Sequence, residues 1–289
     1  MPQVPAALSV DLEFFQHAPA YRNAAGTADA DALGSDGVSV LLEAFETADA
    51  RGTFFTVSDI ADSHPGLVED VAAAGHEIGS HTHTHRHLSG LSERDRRAEL
   101  VDSKARLEAV SGTTVEGFRA PSFDVGDDHF EEVSEAGYTY DSSVVPCRAI
   151  PGWYGGEFSV REPSPVTAID PGGPPGLTEV PVAVMPGLRL PLSGTWIRFF
   201  GVRYTLLGMR LLARRGIPPV LYVHPWELID LPGIEGVPRR IYVRSGAYMR
   251  RAVKRILAEP FEFVTVGELA ERRGGETASH NGAGTGGAR

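Results

Sequence analysis

Cysteine and lysine are both nearly absent from the sequence. The only cysteine among 289 residues is Cys147, so the chain cannot form an intrachain disulfide or bind zinc through several cysteine ligands. Lysine occurs only at Lys104 and Lys254, and the formal net charge is -11. Because phosphate backbones are bound by clustered Lys and Arg side chains, this charge argues against nucleic acid as the main partner.

Long hydrophobic runs are also missing. No stretch approaches the roughly 18 consecutive apolar residues that a membrane-spanning helix needs. The N-terminal sequence MPQVPAALSVDLE lacks the basic region and the following apolar run of a secretion signal. We therefore expect a cytoplasmic protein without an integral membrane segment. The composition gives no indication of the oligomeric state.

The sequence does contain a regular alternation of short apolar runs with amphipathic helical patterns. The clearest helical patterns cover residues 37–50, 65–75, 92–112 and 203–216. Alternating strands and helices favour a parallel sheet, and seven or eight strands in a chain of this length favour an α/β fold of the (β/α) barrel type. The predicted strands cover residues 6–10, 53–57, 76–80, 115–119, 138–141, 178–184, 219–223 and 261–266.

Two segments depart from this alternation. Residues 148–195 are rich in Pro and Gly and predict a long excursion of loops and short strands within the domain. Residues 274–289 (GGETASHNGAGTGGAR) predict a disordered tail, which leaves residues 1–273 as one barrel domain. The tail contains a formal G-x-G-x-x-G, but no strand precedes it and no helix follows it, so we expect no dinucleotide site.

Polar side chains collect where the predicted strands end. In a barrel of parallel strands the carboxyl ends of all strands meet at one rim, and active sites are built there. We therefore expect the polar residues at these strand ends to share one pocket. They are Asp11, Glu13, His81, His85, Arg119, Asp141 and His224.

The segment HEIGSHTHTHRHL, residues 76–88, contains two interleaved His-x-x-x-His pairs. A spacing of four residues would place two imidazoles on one face of a helix, close enough to share a metal ion. His81 follows the predicted strand directly, so the pair His81 and His85 is favoured as metal ligands. His83 and His87 are interpreted as solvated or hydrogen-bonded, and His76 as structural.

Five motifs together resemble those of the polysaccharide deacetylases of carbohydrate esterase family 4, the NodB-homology family. They are VDLE, EIGSHTHTH, FRAPSF, YDSSVVP and YVHPWE, and the resemblance extends over about residues 6 to 270. The region from YVHPWE onward resembles the branch associated with exopolysaccharide assembly. The resemblance implies a distorted (β/α) barrel, in agreement with the strand pattern.

The resemblance also implies a role for each matching residue. Glu13 would complete the metal site of His81 and His85, and the implied ion is divalent, with zinc favoured and cobalt or nickel as alternatives. The first motif reads Asp-Leu-Glu instead of the family's common adjacent aspartates, and the fourth lacks its usual tryptophan. The implied catalytic residues are Asp11 as base, Arg119 to orient it, His224 as acid and Asp141 as the partner of His224.

The implied activity is metal-dependent removal of N-acetyl groups from a sugar. The substrate partner would be an N-acetylated polysaccharide, glycolipid or oligosaccharide. Two alternatives stay open, an amidohydrolase acting on a cyclic ureide and a carbohydrate-binding protein without catalysis. Trp153 and Trp226 are candidates for stacking on sugar rings or for packing in the core.

Overall fold

The computed structural model describes residues 4–25, 32–150, 155, 156 and 158–272, and it contains a curled sheet flanked by helices. Within these residues the strands are β1 (Val4–Leu12), β2 (Thr53–Thr56), β3 (Glu77–Ser80), β4 (Gly117–Phe118), β5 (Tyr140–Asp141), β6 (Ser164–Pro165), β7 (Thr178–Glu179), β8 (Val220–Val223) and β9 (Phe261–Phe263). The helices are α1 (Pro19–Ala25), α2 (Ser35–Thr47), α3 (Asp59–Ser63), α4 (Pro65–Ala73), α5 (Glu93–Ser111), α6 (His129–Glu135), α7 (Gly194–Phe200), α8 (Val202–Ala213) and α9 (Ala247–Leu257).

The strands form one sheet in the order β6-β7-β5-β4-β3-β2-β1-β8, and β9 pairs with the start of β1. All of these pairs are parallel except that between β6 and β7. Strand β1 is buried from Ala6 to its end, because helices cover the outer face of the sheet and side chains fill the inner one. This double burial explains why the strands are continuous apolar runs rather than alternating ones.

The segment after β7 connects the two sides of the curled sheet. The Val182 N–H donates to the Val144 carbonyl at 2.9 Å, and the Ala183 N–H donates to the Val220 carbonyl at 2.8 Å. Ser193 adds a parallel bridge to Tyr222 in β8. The predicted distorted (β/α) barrel is therefore confirmed.

The strand-like runs of the sequence all contain strands, with two differences in detail. The run 178–184 forms only the short β7, and the rest of the run makes the isolated backbone hydrogen bonds that close the barrel. Strand β6 lies inside the excursion 148–195, where Pro and Gly hide the strand pattern. The predicted tail 274–289 lies outside the described residues.

The four helical patterns correspond to α2, α4, α5 and α8. Helix α5 is capped at its start by Ser92, whose hydroxyl accepts the Asp95 N–H at 3.3 Å, and at its end by Gly112, which has a left-handed φ of 67°. Among the described residues, none of the helices combines the length and the apolar sequence that crossing a bilayer would require.

Candidate metal centre and active site

Three predicted ligands meet at the carboxyl end of the barrel strands. Glu13 follows β1 directly, His81 follows β3, and His85 lies four residues further along the same loop. One ligand atom from each lies within 4.8 Å of the other two, and all three side chains are buried. His85 Nε2 is 2.6 Å from Glu13 Oε2. In the part of the chain that the structure describes, no other trio of His, Cys, Asp or Glu is grouped so closely.

Hydrogen bonds from outside the group orient two of these ligands. His81 Nδ1 donates to the Arg119 carbonyl at 2.7 Å, so its Nε2 lone pair points elsewhere. Trp226 Nε1 donates to Glu13 Oε1 at 3.0 Å, and Oε2 faces His85 Nε2. Such outer contacts fix the tautomer and orientation of metal ligands. Two imidazoles and one carboxylate, held in this way, fit a divalent ion.

The two histidines do not reach each other through a helix. Residues 81 to 87 form an irregular loop, in which Thr82 and His85 have left-handed φ values of 66° and 55°. The loop turns the chain so that the two imidazole centroids lie 4.9 Å apart. The predicted pair therefore converges, but the helical rationale for its spacing is wrong.

Two side chains from neighbouring helices hold this loop in its strained conformation. The Glu99 carboxylate of α5 accepts the His83 and Thr84 N–H groups, both at 2.8 Å, and also the Thr84 hydroxyl. Arg22 of α1 donates to the carbonyls of Thr84 and His85, both at 2.9 Å. Left-handed residues other than glycine persist only where their surroundings fix them, and these charged hydrogen bonds do so.

The remaining histidines of the segment have other partners. His83 Nδ1 lies 3.0 Å from Ser58 Oγ. His87 is exposed, and its Nε2 lies 3.1 Å from Ser122 Oγ. The ring of His76 is buried against Phe45 and Phe54 at the start of β3.

Asp11 is paired with Arg119, as the resemblance implied. Arg119 Nη1 donates to Asp11 Oδ1 at 2.6 Å and to Ser9 Oγ at 2.9 Å. Its other nitrogens donate to the carbonyl and hydroxyl of Ser142, and its guanidinium lies 4.1 Å from the Phe55 ring centroid. Because Arg119 is fully buried and bonded on every side, Asp11 is held in one orientation, with Oδ2 free of the arginine.

His224 follows β8 and faces both carboxylates. Its Nε2 lies 3.7 Å from Glu13 Oε1 and 4.0 Å from Asp11 Oδ2. Its other ring nitrogen, Nδ1, lies 3.3 Å from Glu227 Oε2, which also accepts the His224 backbone N–H at 3.0 Å. Glu227 is fully buried, and Arg198 Nε donates to its second oxygen at 2.8 Å. His224 is thus oriented by a buried carboxylate with a cation behind it.

The buried charges shift the pKa values of the site in different directions. Burial lowers the pKa of His81 to about 4, despite opposition from Asp11, and this keeps the imidazole neutral. Burial also disfavours charge on Glu13 and His224. For Glu13, His85 and the other imidazoles outweigh burial and hold the pKa well below its usual range. For His224, Glu227 and Glu13 outweigh burial and raise the pKa to about 9.

The predicted pairing of Asp141 with His224 is not formed. Asp141 instead accepts hydrogen bonds from Ser143 Oγ at 2.7 Å and lies 3.1 Å from Nε2 of His129, the first residue of α6. The acid beside His224 is Glu227, which the sequence analysis did not single out. The spacing could have indicated it. Glu227 is three positions after His224, and in a capping box a glutamate at that spacing accepts the backbone N–H of the first residue.

The two tryptophans named as sugar-stacking candidates have different outcomes. Trp226 is only 4% exposed, stacks on His224 at 4.9 Å and donates to Glu13, so packing is its role. Trp153 lies outside the described residues.

Two family models match consecutive regions of the chain. Residues 24–140 match the family model described as polysaccharide deacetylase. This region of the chain is therefore similar to polysaccharide deacetylases. Residues 142–271 match a second model, a domain of unknown function (DUF3473). The sequence resemblance to polysaccharide deacetylases is thus confirmed, whereas the exopolysaccharide-assembly branch stays a prediction.

Curated relatives match part of this chain over part of their own length. A peptidoglycan-N-acetylglucosamine deacetylase of Bacillus cereus is 32% identical over 98 residues, which is 34% of this chain and 46% of that protein. A chitin deacetylase of Colletotrichum lindemuthianum is 32% identical over 86 residues, 28% of this chain and 35% of that protein. The chain therefore spans less than half the length of these relatives.

Solved structures match nearly the whole domain. A polysaccharide deacetylase from Mycobacterium smegmatis has a TM-score of 0.66 and 23% identity, with 96% of each chain covered. The PuuE allantoinase has a TM-score of 0.64 and 17% identity, with 94% of this chain and 93% of that chain covered. At these identities the likeness shows the fold alone.

The DUF3473 region is part of the same barrel and the same site. Its strand β8 pairs with β1 over Ala7 to Val10, and β9 pairs with the start of β1. It also provides His224, Glu227 and Arg198. Neither matched region contains Glu13, which directly follows β1 and precedes both of them. The barrel and its site therefore combine residues from both matched regions with β1 and Glu13.

Proposed function

We propose that the protein is a metal-dependent hydrolase that removes N-acetyl groups from a sugar of a polysaccharide, glycolipid or oligosaccharide. One observation carries this proposal, the convergence at one rim of a Glu-His-His group, a carboxylate held by arginine and a histidine held by glutamate. The curated relatives named above are deacetylases, which supports the same reaction class.

The proposed ion is zinc, with cobalt and nickel as alternatives, bound by Glu13, His81 and His85. A divalent ion there would polarise the amide carbonyl and lower the pKa of water towards about 7. Mixed imidazole and carboxylate ligands are typical of catalytic zinc sites that keep a position open for water or substrate.

Asp11 is the proposed base. Arg119 occupies its Oδ1, which leaves Oδ2 to accept the proton of the attacking water as the water oxygen bonds to the amide carbon. Proton transfer by a group in a fixed position typically contributes about 10²- to 10⁴-fold to the rate. The buried Arg119, which also donates to Ser9 Oγ, keeps Asp11 at the rim during that transfer.

His224 is the proposed acid. Its Nδ1 is engaged by Glu227, so Nε2 is the nitrogen directed towards the site and able to donate a proton to the departing sugar nitrogen. The amide carbon–nitrogen bond then breaks, giving acetate and a free amine. The neighbouring charges of Glu13 and Asp11 favour the protonated form that this role requires.

A backbone donor for the carbonyl oxygen is available after Arg119. Pro121 has no N–H, and the Phe123 and Asp124 N–H groups donate to the Ala120 and Pro121 carbonyls. The turn has left-handed φ values of 55° at Ser122 and 59° at Phe123. We assign the Ser122 N–H as the donor that would stabilise negative charge on that oxygen.

The decisive experiment measures acetate release from a panel of N-acetylated oligosaccharides, with bound metal quantified in parallel. We expect release with zinc, cobalt or nickel, and a loss of about 10²- to 10⁴-fold in Asp11→Asn and His224→Ala, which should both keep their metal. His87→Ala is the control for metal binding and should keep its metal.

The same assay separates the alternatives. Metal-loaded protein that is inert on every glycan yet hydrolyses a cyclic ureide would contradict the deacetylase proposal and favour the ureide reaction. Glycan binding without any hydrolysis would favour a carbohydrate-binding protein.

The cytoplasmic location stays a prediction, tested by fractionation of the source cells.

A further inference from the structure

An exposed apolar surface lies on α7 and α8, outside the active site. We call it the α7–α8 patch and define it as Trp196, Phe199, Phe200, Tyr204 and Leu207. Phe200 is 53% exposed and Leu207 is 54% exposed. Phe200 stacks on Trp196 at 5.5 Å and contacts Tyr204 at 5.1 Å, while Phe199 meets Trp196 edge-on at 6.3 Å. The side chains therefore form one continuous aromatic and aliphatic surface.

Most of the large exposed hydrophobic side chains lie in the part of the sequence that carries this patch. Five are present in the described part of the chain, and four of them, Leu188, Phe200, Leu207 and Val243, lie between residues 188 and 243. Tyr204 Oη donates to the Leu190 carbonyl, which brings the 188 loop beside α8. Single exposed apolar residues are normal, but a contiguous group marks a contact surface.

The charge of this region is opposite to that of the whole protein. Residues 194 to 258 contain twelve Lys or Arg and three Asp or Glu, in a chain whose net charge is -11. Arg203 in α8 and Arg214 directly after it are exposed, on the same helical side as Leu207. Arg244 lies beside the end of α7, where it donates to the carbonyls of Arg198 and Phe199 at 3.2 and 3.3 Å.

We propose that the α7–α8 patch docks on the surface of a lipid bilayer that contains anionic lipids. Exposed Phe and Leu side chains insert at the headgroup boundary, next to half-buried aromatic side chains such as Trp196, while surrounding Arg side chains attract acidic headgroups. Trp and Tyr are the side chains enriched at such boundaries. The charge complementarity favours a negatively charged surface over a second copy of the chain, because a two-fold contact would bring the same arginines together.

Helix α7 carries part of the patch and also contacts the active site. Arg198, one turn into α7, donates to the Glu227 carboxylate that holds His224. Docking through α7 would therefore place the bilayer surface next to the helix that carries Arg198. If the proposed function holds, the acetylated sugar would be attached to a lipid or lie close to the membrane. The docking itself does not depend on the reaction.

Vesicle sedimentation tests the docking without measuring activity. Purified protein is centrifuged with vesicles of phosphatidylcholine alone or of phosphatidylcholine mixed with phosphatidylglycerol. We expect sedimentation with the mixed vesicles only, weakened by added salt because it screens the arginines. The variant Phe200→Ser/Leu207→Ser should bind about tenfold or more weakly, and Arg203→Gln/Arg214→Gln should lose most of the salt dependence.

Matched controls lie on α5, away from the patch. Val101→Ser removes an apolar side chain that is 39% exposed, and Arg94→Gln removes an exposed arginine. Both should bind vesicles like the original protein, and thermal unfolding checks that all variants are folded.

Three results would overturn the proposal. These are no sedimentation with the mixed vesicles, equal sedimentation of patch and control variants, and a dimer in analytical ultracentrifugation that Phe200→Ser/Leu207→Ser abolishes. If the protein bound the mixed vesicles but released no acetate from any glycan, that result would contradict only the proposed function.

Discussion

At the scale of single residues, the metal site depends on which nitrogens of the histidine-rich segment face Glu13. His81 and His85 do so, whereas His83 is bonded to Ser58 and His87 is exposed. We expect His81→Ala or His85→Ala to abolish stoichiometric zinc binding, because two of three ligands cannot hold a catalytic zinc ion tightly. Metal analysis after dialysis measures this.

The matched control is His83→Ala, two residues from either ligand. It should retain its metal. If His83→Ala lost its metal while His81→Ala kept it, the ligand pair would be wrongly assigned.

The second prediction at this scale concerns Glu227, which orients His224 through two contacts. We expect Glu227→Gln to lower kcat by about tenfold or more with KM little changed, because substrate contacts are not removed while the acid loses its charged partner. Steady-state kinetics of acetate release measures both constants.

Asp141→Asn distinguishes the two candidate partners of His224. Since Asp141 bonds His129 and Ser143 instead, its effect should fall on the free energy of unfolding more than on kcat. A larger drop in kcat for Asp141→Asn than for Glu227→Gln would contradict the assignment.

At the scale of elements, the loop after β3 is held by helices that contribute no metal ligand. Glu99 of α5 accepts three hydrogen bonds from His83 and Thr84. We expect Glu99→Gln to weaken metal affinity by about 10- to 100-fold, because a neutral amide holds the strained loop less firmly. Competition with a coloured chelator measures the affinity.

Asp102 on the same helix is exposed, so Asp102→Asn is the control and should leave the affinity unchanged. If Glu99→Gln binds metal as tightly as the original chain, the loop does not need its helix contact.

The start of β3 gives a prediction about pH. Burial lowers the pKa of His76 to about 4 from its usual 6.5, and the neutral ring accepts the Gly52 N–H at Nδ1. Because the folded-state pKa is lower than the unfolded one, the stabilisation is complete above pH 6.5 and is lost as pH falls towards 4.

His76→Gln should therefore reduce the slope of the unfolding free energy against pH in that window. The reduction is at most the slope that the binding of one proton contributes. Denaturant unfolding at several pH values measures the slope. An unchanged slope would mean that His76 is protonated equally in both states.

At the scale of the whole molecule, the two matched regions are structurally dependent on each other. Strand β1 pairs with β2 from one region and with β8 and β9 from the other. A chain ending at residue 141 would leave one side of β1 unpaired and its apolar side chains exposed. We expect that fragment to show no cooperative unfolding by circular dichroism, and a sharp transition would contradict the shared barrel.

The sequence allowed much of the fold and part of the site to be predicted. Barrel strands are apolar runs with polar residues at their ends, so strand position alone brought Asp11, His81 and Arg119 to one rim. Glu227 was missed because its role depends on a turn and on Arg198, 29 positions earlier in the chain. The Asp141 partner was wrong because α6 presents His129 to it.

The sequence by itself determined the class of fold and the chemical types at the rim, because apolar periodicity and strand ends are local properties of the chain. The tertiary structure alone decided which atoms meet. The convergence of His81 with His85 requires left-handed residues that no local preference favours, stabilised by Glu99 and Arg22 from distant helices. The partner of His224 and the exposure of the α7–α8 patch likewise depend on packing between segments far apart in sequence, which residue order does not specify.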